Sequence, residues 1–347
     1  IFYLGSPFAS SMFLFSYILL HHNDKDYTFR ITHKYKMKVI LVILTISSVL
    51  IILFVPAYNG SILDWANIPL INWIRYMASL LLTTFLPGYF LLKVLDRQCV
   101  ITGSIIIVLS CLLSFFITFA IGFIILFSGN TISSFGLVAV IATNLTIMVL
   151  YYCIHKTEDY RLVLNRFEVG LVLSILIVAV IDALTVMIYN LPLKSGDMRR
   201  HYGLALQYLE GFPVYGGRLL PSYPYLFHIY LAVLFSICGI PSALAEQGLY
   251  ILTFMPILAF YSAVKVWFNR EEDRDIPSVA IFLSILLGFG GLYAIYLRLS
   301  GPDYDILKLL QVTTSKTYDI YMRFLYLPDI VAPIWIIGLP AFFALLY

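Results

Sequence analysis

The chain has 347 residues, of which 61% are hydrophobic and 12% charged, and its net charge is +3. Soluble domains carry about 25% charged residues, and one soluble core of this size could not cover so much apolar surface. The composition therefore excludes an ordinary soluble protein and favours a chain whose main solvent is lipid. The sequence shows no basic stripe and no nucleic-acid-binding motif, so we expect no nucleic-acid partner.

Apolar runs long enough to cross a bilayer recur along the chain, since a spanning helix needs about 20 residues. They occupy residues 1–20, 39–57, 71–95, 100–127, 134–154, 169–189, 248–268, 277–297 and 331–347. Backbone exposed to lipid must satisfy its own hydrogen bonds, so we expect an all-α integral membrane protein, a polytopic bundle of about nine transmembrane helices. Both ends lie inside apolar runs, and we expect further chain beyond each of them.

Lys and Arg residues concentrate in alternate short loops, which sets the orientation of the bundle. Loops 21–38, 96–99 and 155–168 are basic, whereas loops 58–70 and 128–133 contain neither Lys nor Arg. The basic loops are therefore predicted to be cytoplasmic. The others are predicted to face the outside of the cell membrane.

The C-terminal half contains a shorter apolar run, residues 225–240, bracketed by prolines. Its 16 residues favour an interfacial or re-entrant helix on the outer side; a full crossing would place the charged cluster 270–275 outside instead. On the favoured interpretation two long polar segments, 190–224 and 298–330, face outward. We therefore predict an N-terminal module of five helices over residues 1–165 and a second module over residues 166–347.

The outer segment 190–224 holds the most informative pattern in the chain. A helix is predicted from Asp197 to Gly211, with an apolar face that would lie along the membrane surface. That face consists of Met198, Tyr202, Ala205 and Leu209. On a neighbouring face Asp197 and His201 are four residues apart, so their side chains can meet.

These residue types suit chemistry at the headgroup level. The Asp197 carboxylate could take a proton from a hydroxyl acceptor, with His201 tuning it. The guanidinium groups of Arg199 and Arg200 could hold a phosphate. The alternative is that these are ordinary polar residues on the wet face of an amphipathic helix.

The order of features in the second half resembles a known family. A membrane helix leads into an outer loop with Asp197 at the start of a surface helix. Gly211, the aromatic-proline run Tyr223–His228 and a short apolar helix follow. This order resembles the beginning of the core of membrane-embedded glycosyltransferases of the GT-C fold, and the resemblance covers residues 169–347.

The resemblance implies that two outer loops with surface helices close over a site on the extracytoplasmic face. It implies an inverting sugar transfer from a polyprenyl-phosphate donor among the membrane lipids to a glycan, lipid or protein acceptor. Asp197 would then be the general base or a metal ligand. Tyr223 and His228 would shape the substrate cavity, although a lone histidine such as His228 also fits an interface role.

The chain departs from this family because many members carry paired acids in the first loop, whereas Asp197 is flanked by Gly196 and Met198. Asp303 and Asp305 in the second outer loop could supply a site for Mg²⁺ or Mn²⁺ instead. They also fit a solvated turn after Pro302. Asp182, inside the span 169–189, either faces the substrate cavity or hydrogen-bonds a neighbouring helix.

Two further interpretations stay open: a transporter or lipid flippase, and a non-catalytic membrane scaffold with a degenerate site. The segment Leu86–Tyr89 resembles a family of uncharacterised archaeal and bacterial membrane proteins, which implies no chemistry. Physically, Pro87 and Gly88 should kink or loosen the third span.

Overall fold

A computed structural model describes residues 28–30, 34–60, 67–96, 104–154, 163–165, 196–212, 214–215, 218–219, 225–249 and 254–267, with single positions at 173, 252, 341 and 344. The predicted spans 1–20, 169–189, 277–297 and 331–347, and the outer segment 298–330, lie outside these residues apart from those single positions. The same holds for Asp182, Tyr223, Asp303 and Asp305.

The regular structure is almost entirely helical. The helices are α1 (Lys34–Phe54), α2 (Leu70–Leu80), a π-helical segment (Leu81–Phe85), α3 (Leu86–Leu95), α4 (Ile105–Phe127), α5 (Ile132–Ile154), α6 (Gly196–Glu210), α7 (Tyr225–Ile237), α8 (Ser242–Gly248) and α9 (Phe254–Trp267). Four strands of two or three residues accompany them: β1 (Thr28–Arg30), β2 (Val163–Asn165), β3 (Val214–Tyr215) and β4 (Arg218–Leu219). Strands β3 and β4 form an antiparallel pair.

The chain divides into two compact units. One comprises Arg30–Val163 with Gly196–Leu249, and the other comprises Ile1–Phe29, Leu164–Ser195 and Tyr250–Tyr347. The predicted outer helix α6 and the short helix α7 therefore share a unit with the N-terminal helices. The unit containing α6 is built from two separate stretches of chain, and the module division predicted near residue 166 stays a prediction.

Three helices within the described residues are long and apolar enough to cross a membrane: Leu70–Leu95, α4 and α5, with 26, 23 and 23 residues. Their outward faces carry large apolar side chains such as Phe116, Ile124, Val138 and Val149, which is the pattern expected when lipid is the solvent. These helices support a helical membrane protein. The described part of the predicted span 248–268 is shorter, because α9 has 14 residues.

The span Leu70–Leu95 is interrupted at its middle by the π-helical segment, which agrees with the predicted loosening near Pro87. Leu86 N–H donates to the Leu81 carbonyl, five residues back. With the same five-residue spacing, the N–H of residue 87 would donate to the Leu82 carbonyl. Residue 87 is proline, which has no N–H. Asn144 Nδ2 of α5 fills the gap by donating to the Leu82 carbonyl at 3.0 Å.

Helix α4 supplies the remaining polar groups at this interruption. Thr118 Oγ1 donates to the Thr83 carbonyl at 2.7 Å, and Gly88 N–H donates to Ser114 Oγ at 2.8 Å. Gly88 allows the close approach, because a Cβ there would overlap the Ser110 carbonyl of α4. Backbone groups freed in mid-membrane need such partners, so the interruption is a stabilised part of the fold.

Candidate functional site

Helix α6 begins within one residue of the predicted start at Asp197 and ends directly before Gly211. Asp197, Arg199, Arg200 and His201 all lie in its first six residues. Their helical backbone places Asp197 and His201 one turn apart on the same face, as the sequence predicted. The side-chain positions of these four residues lie outside the described part of the structure.

The C-terminal half of α6 is fixed by burial. Ala205 and Tyr208 are fully buried, and the Tyr208 ring stacks on the His228 ring of α7 with 6.4 Å between centroids. Phe212, just past the helix, contacts Tyr208 and Phe123 of α4 at 6.3 and 6.1 Å. The buried side of the helix thus includes Tyr208, which does not belong to the predicted apolar face of Met198, Tyr202, Ala205 and Leu209.

A hydroxyl pair holds α6 nearer its polar end. Tyr202 Oη and Ser242 Oγ of α8 lie 2.8 Å apart and share a hydrogen bond. The Tyr202 ring also contacts Phe235 of α7, with 5.8 Å between centroids. Because Tyr202 directly follows His201, the backbone of the polar turn is tethered one residue from the predicted site.

His228, a predicted substrate-binding residue, is fully buried. Its ring lies between Tyr208 and Phe227, with centroid distances of 6.4 and 6.0 Å. This position makes His228 a contact between α7 and α6. It agrees with the interface role that the sequence left open for a lone histidine.

Helix α7 is short and mostly buried: Phe227–Leu234 and Ile237 are buried, while Phe235 and Ser236 are partly buried. It lies against glycines near the predicted outer ends of two spans: a Cβ at Gly122 of α4 would overlap Ile229, and one at Gly136 of α5 would overlap Ser236. Near its middle, Tyr230 Oη lies 2.8 Å from Thr84 Oγ1 in the π-helical segment. These contacts pack α7 against α4, α5 and the π-helical segment; its insertion from the outer side stays a prediction.

Polar side chains of α2 bind the carboxyl end of α7. Arg75 Nε donates to the Ile237 carbonyl at 3.1 Å, and its Nη1 donates to the Val55 carbonyl. Asn72 Nδ2 donates to the Pro56 carbonyl at 2.8 Å and to the Gly239 carbonyl at 3.1 Å. A cation at the negative end of a helix is stabilising, so we interpret this arrangement, the Arg75–Asn72 clasp, as an anchor for α7.

Glu246 of α8 was not predicted as a site residue from the sequence. In the structure it is the fifth residue of α8, only 2% exposed, and burial raises the pKa of its carboxyl to about 8. Its Oε1 has no hydrogen-bond partner within the described residues. An acid inside the apolar stretch that follows Pro241 was the available sequence signal.

The predicted cation ligands are Asp303 and Asp305 of the second outer segment. Asp303 and Asp305 lie outside the described residues, and the part of the chain that is described contains no group of three or more His, Cys, Asp or Glu side chains suited to a metal ion. The described donor set therefore does not form a cation site. The divalent cation stays a prediction.

The chain was compared with known protein families, curated proteins and solved structures. No protein-family model matches it, and neither a curated protein nor a solved structure does.

Proposed function

We propose that the chain is a membrane glycosyltransferase that moves a sugar from a polyprenyl-phosphate donor to a glycan, lipid or protein acceptor on the outer face of the cell membrane. One observation carries the proposal: α6 is fixed by Tyr202, Ala205 and Tyr208. The turn that precedes this fixed part contains Asp197, Arg199, Arg200 and His201.

The chemistry assigned to this turn uses the chain's own residues. The Asp197 carboxylate accepts the proton of the acceptor hydroxyl as its oxygen attacks the anomeric carbon. The bond from that carbon to the phosphate oxygen breaks, and the polyprenyl phosphate leaves with the electron pair. Arg199 and Arg200 stabilise the leaving phosphate, and His201 orients the acid. The steps assign no part to a divalent cation.

The proposal is tested by sugar transfer in membranes that contain the whole protein. The assay supplies a polyprenyl-phosphate radiolabelled hexose and follows the label into lipid, glycan and protein fractions. Loss of a general base typically costs about 10²–10⁴-fold in rate, so Asp197→Asn should fall by that amount. Glu210→Gln, at the exposed far end of the same helix, is the matched control and should transfer sugar as wild type does.

Equal transfer by wild type and Asp197→Asn would remove Asp197 from the mechanism. No transfer by wild type with any acceptor fraction would count against the glycosyltransferase itself. The non-catalytic scaffold would then be favoured, because it requires no catalytic turnover.

A transporter or lipid flippase is a second candidate, and the interrupted span favours it. Transporters often bind substrate where helices are discontinuous near the middle of the membrane. Here the π-helical segment Leu81–Phe85 meets the short buried helix α7 through Thr84 and Tyr230. Uptake of a labelled polyprenyl-phosphate hexose into proteoliposomes, with no covalent transfer, would support this candidate over the enzyme.

A further inference from the structure

The carboxyl group of Glu246 is buried at a cost in free energy. Its side chain is 2% exposed, and its Oε1 finds no hydrogen-bond partner within the described residues. A buried polar group without a partner costs about 1–3 kcal/mol, and more when it carries charge. Buried polar atoms are rarely left in this state, and each exception needs an explanation, such as a bound water, ion or ligand or a functional role.

Glu246 lies one helical turn from Ser242, a member of the hydroxyl pair. Ser242 and Glu246 are four residues apart in one helix, so their side chains are neighbours on the same face. Ser242 Oγ lies 2.8 Å from Tyr202 Oη of α6. The backbone of α8 is held by α2, because Tyr76 Oη donates to the Ala245 carbonyl at 2.9 Å.

The chemistry of this group suits a polyhydroxyl ligand. Tyr202 and Ser242 are half-buried, and each hydroxyl can both donate and accept a hydrogen bond. Burial raises the pKa of Glu246 to about 8, so near neutral pH its carboxyl keeps a proton and can also do both. Phe235, in contact with Tyr202, adds an apolar surface, and sites for small molecules combine such surfaces with a few placed polar groups.

We propose that Glu246, Tyr202 and Ser242 form a subsite that hydrogen-bonds the hydroxyl groups of a sugar. The proposal rests on the proposed function for its substrate class, because it takes the ligand to be the sugar of a lipid-linked donor. It does not depend on the role given to Asp197. The subsite places sugar recognition beside α6, within one residue of His201.

The first experiment labels the carboxyl in the purified full chain with dicyclohexylcarbodiimide, a lipid-soluble reagent for protonated buried carboxyls. The carboxyl O–H adds across one C=N bond, and an acyl shift from oxygen to nitrogen leaves a stable acylurea that contains every atom of the reagent. Peptide mass spectrometry should find the adduct on Glu246 of wild type and not at residue 246 of Glu246→Gln. An unlabelled Glu246 in wild type would overturn the proposal.

The second experiment measures protection from this label by two soluble probes, farnesyl-phosphate hexose and farnesyl phosphate. We expect the hexose probe to lower labelling of Glu246 several-fold and the probe without sugar to leave it unchanged. In the Tyr202→Phe and Ser242→Ala variants, Glu246 should still be labelled, but the hexose probe should no longer reduce that labelling. Equal protection by both probes, or protection by neither, would show that the group does not recognise sugar.

The outcomes separate this subsite from the proposed function. Sugar-dependent protection without any sugar transfer would remove the glycosyltransferase and leave the subsite in place. Normal transfer by Glu246→Leu, with an unchanged KM for the donor, would remove the subsite and leave the glycosyltransferase. Wild-type protection is measured without a variant, so misfolding of one variant does not decide the result.

Discussion

Asn144 donates through Nδ2 to the Leu82 carbonyl at 3.0 Å, at the point where the π-helical register calls for an N–H that Pro87 cannot supply. The same Nδ2 donates to the Val140 carbonyl at 2.9 Å within its own helix. The two helices are therefore joined by a polar side chain near the middle of each. Because lipid offers no replacement partner, Asn144 should contribute to stability through this bond.

Asn144→Leu should lower the stability of the purified protein by about 0.6–2 kcal/mol, the span of values for interhelical hydrogen bonds in membrane proteins and model peptides. Thr146→Leu, an exposed position on the same helix, is the control and should leave the thermal midpoint nearly unchanged. Pro87→Ala restores a backbone N–H. The cost of Asn144→Leu should then shrink in a double-mutant cycle, and an undiminished cost would contradict the assigned role.

Gly239→Ala should destabilise the protein more than Gly129→Ala. Both glycines have positive φ, 72° and 78°, so each substitution carries a similar backbone strain of roughly 1 kcal/mol. A Cβ at Gly239 would also overlap the Arg75 side chain, whereas a Cβ at Gly129 meets nothing. Thermal unfolding of the two variants measures the difference, and equal midpoints would show that the Arg75–Asn72 clasp tolerates displacement.

Stability should depend on pH through Glu246. The folded carboxyl keeps its proton to about pH 8, while the unfolded carboxyl releases it near 4.5. The stabilising contribution is therefore fully present below pH 4.5 and is lost as pH rises towards 8, by up to about 1.4 kcal/mol per unit. Glu246→Gln has no titrating group at this position. The thermal midpoint of the variant should therefore rise relative to that of wild type as the pH increases from 5 to 8. A constant difference would mean that Glu246 titrates normally.

Gly88→Ala should push α3 away from α4 and lower the stability of the protein. A Cβ at residue 88 would overlap the Ser110 carbonyl and the Ser114 backbone, and backbone cannot move aside cheaply in a packed bundle. Gly203→Ala is the control, because a Cβ there meets nothing and alanine in a helix gains about 0.5–1 kcal/mol over glycine. We expect a lower thermal midpoint for the first variant and a slightly higher one for the second.

The predicted orientation of the protein in the membrane can be tested with the exposed thiol of Cys153, near the end of α5. In intact cells a membrane-impermeant maleimide should leave Cys153 unlabelled and should label Asn59→Cys, in the exposed loop after α1. Permeabilised cells should label both. The reverse pattern would put the 58–70 loop in the cytosol, and with it the outer-face site.

The sequence alone predicted the helical membrane class, because the length and apolarity of a segment are enough to choose lipid as its solvent. It also predicted helix α6 and the Asp197–His201 spacing, since both follow from local periodicity. The interruption near Pro87 was expected for the same reason. These features depend on residues within one or two turns of each other.

The tertiary structure decided which residues meet across distant parts of the chain. Asn144 and Leu82 are 62 residues apart, and Arg75 and Ile237 are 162 apart, so no local pattern signals either bond. Glu246 could be recognised as a buried acid only after α8 was packed, because burial is a property of neighbours and not of the residue. Local spacing determined the turn that contains Asp197 and His201. Long-range packing determined that Tyr202 and Tyr208 hold this turn and that Glu246 is a buried acid.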